Sequence, residues 1–456
     1  MNSVNYLNFN LIANSMTAKI ERVTSSQVIN IALDTIKRNK QALVFVNTKK
    51  SAEKQAEDIA GKIKLEDDSL AGVLQDIAQQ ILKVLSRPTK QCTRLAYCVR
   101  KGAAFHHAGL HHKQREIIEN CFRDGTIRII CSTPTLAAGL DLPAFRTVIK
   151  DLKRFGGPRG MTDISVMEYL QQAGRAGRPK YDDHGESICI AGNESQKDNI
   201  FDQYIYGEPE PIYSKLASEP ALRTYLLSLI ASGFVNCRDS IQGFFRKTFW
   251  AYQFEDMPRL ESIINKMLGL LEEWEFIKII SSSSGSTGSD FVSAKDYGAE
   301  KVKVTPLGKR VAELYLDPLT AHEIIENLRR ATSGQVTVFS FLHMVSYTLE
   351  MRPLLSVRVK DMEMVQEFLV EHSDEILPDE PNMYDPDYDI FLKSVKTAMF
   401  FNDWVDERDD EQLLEKFNIT PGETRMKLDI ADWLVYASVE LCKLLGFREL
   451  QKELNK

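Results

Sequence analysis

The sequence contains no apolar run that approaches the roughly 18–20 residues a membrane span requires, so no spanning helix and no membrane partner are expected. Cysteine is sparse: 7 residues in 456, scattered, with no Cys-x-x-Cys pair. That excludes a disulfide framework or a cysteine-built zinc site as the organising device and predicts reduced, buried thiols. Positive charge is also in deficit, with 57 Lys and Arg against 64 Asp and Glu and a formal net charge of −7. Such a chain is not coated in basic charge. Nucleic-acid binding would need a local basic groove, because the field follows the distribution of charge and not its sum. The amino-terminal MNSVNYLNFNLIANSM has no basic stretch ahead of its apolar residues and does not read as a secretory signal, so the expected compartment is the cytosol. What is present is ordinary for globular protein: 43% hydrophobic and 27% charged residues, over a length that suits two to four domains.

Residues 1–20 show no clear period and read as a disordered stretch or linker. From 21 to 200, short β-branched apolar runs alternate with amphipathic helical segments. QALVFVN (41–47), IRIICS (127–132), RTVIKDL (146–152) and GESICIAG (185–192) are the strands, and segments such as KSAEKQAEDIAGKI and KQREIIENCFRDG lie between them. Buried strands separated by helices predict an α/β domain with a parallel sheet covered on both faces. Residues 201–316 change character. Three helical stretches, near 214–232, 238–252 and 257–274, precede the polar SSSSGSTGSD and a strand-like EKVKVT. In the third stretch Leu260, Ile263, Ile264, Met267, Leu268, Leu271 and Trp274 make an apolar stripe at helical spacing. Three helices and two strands around a Ser/Gly tip suggest a winged helix. Residues 317–456 read as a helical bundle, in which Thr420-Pro421-Gly422-Glu423 opens a helix with a cap, a first-turn proline and a capping-box glutamate.

Chemistry concentrates in the α/β region. In QQAGRAGRP (171–179), Gln171, Arg175 and Arg178 would share one face of a helix opened by the S-x-x-E pattern of Ser165 and Glu168. Arginines on such a face suit bidentate phosphate binding, although a surface ion-pair ladder would look the same. Thr133 stands before Pro134 and can cap a helix carrying the hydroxyl of Thr135, a phosphate-binding arrangement. Thr48 and Lys49 fall at another strand-to-helix turn, and FHHAGLHH at a third, where ligands of α/β sheets gather. The histidines do not make a metal site: His106 and His107 cannot share a face, and neither carboxylate nor cysteine completes a set. No metal ligands are expected.

In combination, VFVNTKKSAE, AAFHHAGL, STPTLAAGLDLPA and QQAGRAGRP resemble, in order, the second RecA-like domain of a superfamily 2 helicase of the Ski-two-like group. YGEPEPIYSKL and TPLGKRVAELYLDPLTA resemble its archaeal, HelQ-related DNA repair members. The resemblance covers roughly residues 20–450 and implies an α/β RecA-like domain, a winged helix and an all-α ratchet bundle. It implies ATP-dependent 3′→5′ DNA unwinding, with single-stranded and forked DNA as partners and Mg²⁺ as the accompanying ion. Gln171, Arg175 and Arg178 match the motif that reaches the γ-phosphate of ATP, with Arg178 the arginine finger. Gly139 and Asp141 match the motif that links nucleotide state to DNA contact. Thr48, Lys49, His107, Thr133 and Thr135 match positions along the single strand. KDLKRFGGPRGMTDIS (150–165) matches the strand-separating hairpin, with Phe155 as its apolar wedge. The segment 356–369 matches the ratchet helix with Arg358 as its arginine, but Glu363 and Met364 stand where a base-stacking tryptophan is usual.

The first half of such a motor would supply a phosphate loop GxxxxGK[ST] and a magnesium-binding DExH. The two Gly-Lys pairs, at Gly61 and Gly308, lack the upstream glycine, and Asp406-Glu407-Arg408-Asp409 reads as an acidic helix end. The expectation is therefore a fragment, split-gene product or truncated product that relies on a separate chain carrying the first RecA-like domain. A non-catalytic nucleic-acid-binding module and an RNA helicase of the same group remain the alternatives.

Overall fold

The computed structural model describes residues 7–8, 20–137, 142–155, 160–178, 182–280, 300–334, 336–408 and 410–456. The chain divides into two compact units, Met1–Pro211 with Thr420–Arg425, and Ile212–Ile419 with Met426–Lys456.

The first unit is built on the strands β1 (Leu7–Asn8), β2 (Ala42–Phe45), β3 (Ala103–His106), β4 (Ile129–Ser132), β5 (Arg146–Ile149) and β8 (Glu186–Cys189), in the order β1-β8-β5-β2-β4-β3. All neighbours are parallel except β1, which adds an antiparallel edge with Leu7 opposite Ser187. Every residue of β2 to β5 is buried, as expected for a sheet covered on both faces. Phe45, Phe105 and Phe122 lie among its fully buried side chains, and truncating any one to alanine costs about 3–5 kcal/mol. Two further strands, β6 (Lys153–Phe155) and β7 (Met161–Asp163), form the hairpin read from the sequence, with Phe155 opposite Met161.

In the second unit the three expected helical stretches are four helices: Glu219–Ala231, Arg238–Phe245, Phe249–Phe254 and Met257–Glu273. The middle stretch breaks where Thr248 caps its second half through Ala251 N at 3.5 Å. Strands β9 (Ile277–Ile280) and β10 (Lys301–Val304) pair antiparallel, and an isolated bridge joins Cys237 to Lys301. The next helix, Pro306–Glu313, starts hard against β9: a Cβ on Gly308 would stand 2.0 Å from the Phe276 carbonyl oxygen. Gly308-Lys309 is therefore a packing device in a first turn. Beyond it, the long helices Pro386–Val405 and Pro421–Leu445 share one continuous apolar core with the helices and hairpin before them, from Leu222 to Leu454. Among the described residues no helix is long and apolar enough to cross a membrane.

Candidate functional site

Parallel strands put all their carboxyl ends at one edge of a sheet. After β2, Thr48 takes an extended conformation and caps the helix Lys49–Ala60: its Oγ1 accepts from Ser51 N at 3.1 Å and donates to Ser51 Oγ at 2.8 Å. After β4, Thr133 and Thr135 hold their hydroxyls 2.9 Å apart. The two turns line one open cavity of about 400 Å³, together with Asn47, Lys49, Ala108, Arg154 and Glu168. Thr48, Lys49, Thr133 and Thr135, named separately from the sequence, are thus brought together. The helix expected after Thr133 is only a 3₁₀ turn, Pro134–Leu136, and Thr133 makes no cap bond because its hydroxyl is engaged with Thr135.

Lys49 Nζ is bound by the carboxylate of Glu423, which also accepts from Thr420 N at 3.0 Å and Thr420 Oγ1 at 2.6 Å. Burial alone would raise the Glu423 carboxyl, but hydrogen bonds from Lys49 and Thr420 hold it below the usual range. Gly422 allows this approach, since its N–H donates to the Gly109 carbonyl at 3.0 Å and a Cβ there would stand 2.2 Å from Ala108 O.

His107 is not on this surface. Its side chain is 0% exposed, with Nε2 3.2 Å from Glu53 Oε1 and Nδ1 accepting from Gly109 N at 3.1 Å. The expectation that it touches nucleic acid is corrected: it props the loop after β3 from inside, stacked on Phe105.

The arginine motif lies at the opposite, amino edge. The helix does begin at the predicted cap, with Ser165 Oγ accepting from Glu168 N at 3.1 Å, but it covers only Val166–Ala173. Gln171 is exposed on its last turn, whereas Arg175 and Arg178 lie beyond it, so the expected single helical face does not exist. Ala176 bridges in parallel to Ala144, and Gly177 reverses the chain at φ +93°. A Cβ on Gly185 would stand 2.3 Å from Gly177 N, so the small residues here permit backbone-to-backbone contact. Arg175 donates from Nε and Nη2 to the Ala137 carbonyl at 3.0 and 2.6 Å. Arg178 binds Asp182 through Nε at 2.7 Å and also donates to Gln41, the residue that precedes β2. Lys40 binds the same carboxylate at 2.6 Å. Burial pushes the Asp182 carboxyl up, but hydrogen bonds from Arg178 and Lys40 bring it below its ordinary value. Both guanidinium groups are satisfied internally; neither is presented open to a triphosphate.

Gly139 and Asp141 lie outside the described residues. Phe155 ends β6, where the hairpin reading places it. Arg358 does not sit on a helix. It precedes a 3₁₀ turn, Val359–Asp361, and folds back with Nε 3.0 Å from Asp361 Oδ2. Lys396, 1% exposed, holds the same carboxylate at 2.7 Å. The helix that follows, Met362–Glu371, carries no aromatic at 363 or 364, but Trp404, 43% exposed, stands near the end of Pro386–Val405. Its sequence signal is the FFNDWV that precedes the acidic helix end. That acidic end, Asp406–Arg408, is a turn in which Arg408 pairs with Asp403 at 3.2 Å. Arg154, also missed, is a lone arginine on a hairpin strand.

The sheet thus carries hydroxyls and a lysine at its carboxyl edge and an arginine motif at its amino edge, in an α/β RecA-like domain. Residues 82–180 match the family described as helicase conserved C-terminal domain, and residues 339–456 match archaeal helicase, domain 4. Over most of its length the chain is similar to archaeal Hel308 helicases. It is 37% identical to the ATP-dependent DNA helicase Hel308 of Methanocella arvoryzae over 92% of this chain and 54% of that protein. With the protein of the same description from Methanococcus vannielii the identity is 32%, over 97% of this chain and 60% of the relative. For Pyrococcus horikoshii the figures are 33%, 92% and 55%. The chain thus spans little more than half the length of these relatives.

Proposed function

We propose that this chain is the carboxy-terminal motor half of an ATP-dependent 3′→5′ DNA helicase of the repair or replication-fork type. The observation that carries the reading is the convergence of Thr48, Lys49, Thr133 and Thr135 on one cavity at the carboxyl edge of the sheet. Hydroxyls and a lysine beside a helix N-terminus suit a sugar–phosphate backbone, and such contacts position a strand without reading its sequence. The β6–β7 hairpin serves as the strand separator, with Phe155 its wedge. Residues 201–316 are a winged helix, and the helical region that follows is the ratchet. Trp404 takes the base-stacking place that the sequence reading sought at 363–364.

ATP and Mg²⁺ are held mainly by a first RecA-like domain on a separate chain. Among the described residues no group of three or more His, Cys, Asp or Glu could hold a metal. When bound, ATP supplies the free energy of phosphoryl transfer. Arg178 is the residue for its terminal phosphate, with Arg175 and Gln171 beside it, because a fork that binds the Asp182 carboxylate also fits a phosphate. Combined with a polypeptide that carries a phosphate loop and DExH, the chain should hydrolyse ATP in a DNA-stimulated manner. Turnover that ignores DNA would defeat the proposal.

One observation favours a second reading, a nucleic-acid-binding module without catalysis: both arginines are already satisfied, by Ala137, Gln41 and Asp182. Tight, salt-dependent binding to forks, with no ATP turnover in any combination with phosphate-loop partners, would establish it. Parallel titrations on DNA and RNA forks separate the two substrate classes.

A further inference from the structure

The cavity at the carboxyl edge holds a cation to which the reading above gives no role. Arg154 is the middle residue of β6, beside Phe155 at the root of the hairpin, and its side chain is 56% exposed. Its Nη1 lies 2.9 Å from Glu168 Oε2. Glu168 is 15% exposed, and its other carboxylate oxygen is buried without a hydrogen-bond partner. Both residues line the wall shared with Lys49, Thr133 and Thr135.

We propose that Arg154 is a nucleic-acid phosphate ligand at the hairpin root, and that Glu168 is the carboxylate it exchanges for that phosphate. The proposal rests on the nucleic-acid reading of the cavity. A guanidinium fork accepts a carboxylate or a phosphodiester with the same two parallel N–H bonds. Arg154 is the exposed member of the pair, so its side of the contact is open to water and salt and can be given up to an incoming phosphate. The phosphate also brings what Glu168 cannot: a position within reach of the hydroxyls and the lysine on the same wall. Lys49 shows the same pattern, bound in the absence of nucleic acid by Glu423. Each cation of the cavity is thus kept oriented by a carboxylate that a strand backbone can replace. The ligand is a polynucleotide backbone and not a free nucleotide, because the cavity is an open wall continued by the hairpin, at the sheet edge opposite the arginine motif.

The test is fluorescence anisotropy of the full chain on a labelled DNA fork with a 3′ single-stranded tail, over a series of KCl concentrations. Arg154→Ala should weaken binding about three- to tenfold and flatten the slope of log affinity against log salt by about 0.7–0.9, the share of one phosphate contact. Glu168→Gln should tighten binding at least twofold, a gain that a misfolded variant cannot produce. Adding ATP at 1 mM should displace none of the fork. If Lys49→Ala weakens binding while Arg154→Ala and Glu168→Gln match the parent chain, this inference falls and the cavity reading survives. If ATP displaces the fork, the ligand is a nucleotide and the inference falls. If the parent chain binds no fork at all, both fall together.

Discussion

The two edges of one parallel sheet are finished differently. At the carboxyl edge, the turns after β2 and β4 leave hydroxyls and a lysine around an open cavity. At the amino edge, Arg178, Lys40 and Gln41 close on Asp182, whose side chain is 0% exposed. The first edge keeps its cations, each held by a carboxylate, around an open cavity, whereas the second closes its cations on one buried carboxylate. On the proposed reading the difference is one of access: a strand would meet partly exposed cations in an open cavity, while an arginine finger would have to leave a buried carboxylate for an incoming phosphate.

The largest effect expected at the amino edge is catalytic. In a complex with a phosphate-loop partner, Arg178→Ala should lower ATP turnover about 10³-fold or more, the range measured for arginine fingers. Fork affinity should stay within twofold, because the two edges are separate. Arg178→Lys keeps a cation for Asp182 but loses the planar fork, so it should fold normally and still fail in turnover. Steady-state hydrolysis and anisotropy on the same preparations decide it. A turnover loss matched by an equal loss of fork binding would erase the distinction between the edges.

The next effect is on stability. Arg146, at the start of β5, is 0% exposed and holds Glu186 at 2.6 Å and Asp34 at 2.7 Å. Arg146→Met takes the guanidinium from the buried Glu186 and leaves Asp34 to Arg38, 2.9 Å away, so it should cost about 3 kcal/mol in urea melts. A cost below about 1 kcal/mol would show that the amino edge does not depend on its internal ion pairs.

The sequence made β2, β4 and β5 legible because each is a short run with β-branched residues, all of them buried, and the hairpin because Gly-Gly-Pro separates two strand-like pieces. It could not show where the helix through QQAGRAGRP stops. Alanine and glycine continue a helix on paper, and the terminating contact is with Gly185, which follows eight residues after Gly177. Nor could it show that His107 is internal, since that depends on Glu53 reaching it from a helix 54 positions earlier in the chain. Arg358 lies outside the helix for a local reason: Asp361 turns the segment back on itself before the helix begins. Arg154 carried no motif, and only the folded wall assigns it a place. Local periodicity was readable, whereas close approaches between distant segments were not.

Acid should act on the amino edge in a defined direction. Asp182 is held below its ordinary value of 3.8, so its contribution is complete above that value and is lost as pH falls through the lower folded value. Asp182→Asn should therefore destabilise the protein at pH 7 by on the order of 1–3 kcal/mol, the worth of hydrogen bonds to a charged group. The two proteins should converge as pH drops below about 4. Urea melts across pH 3–7 check this, and a constant gap down to pH 3 would mean that the carboxylate is not what Arg178 and Lys40 require.

The smallest effect is at the carboxyl edge, where Thr48 has two roles to be told apart: helix cap and phosphate neighbour. Thr48→Ala removes both, costing about 1 kcal/mol of stability through the lost cap along with some fork affinity. Thr48→Ser keeps both. Thr48→Asp is the informative change, because aspartate caps a helix as well as threonine does and favours its N-terminus. It should leave the melting temperature unchanged or slightly raised. Its carboxylate would face the same cavity as a phosphate, so fork affinity should fall several-fold, and most at low salt, where like charges repel least screened. A stable Thr48→Asp protein that binds forks as well as the parent would mean that the cap is all Thr48 provides, and that a strand passes the cavity without approaching this turn.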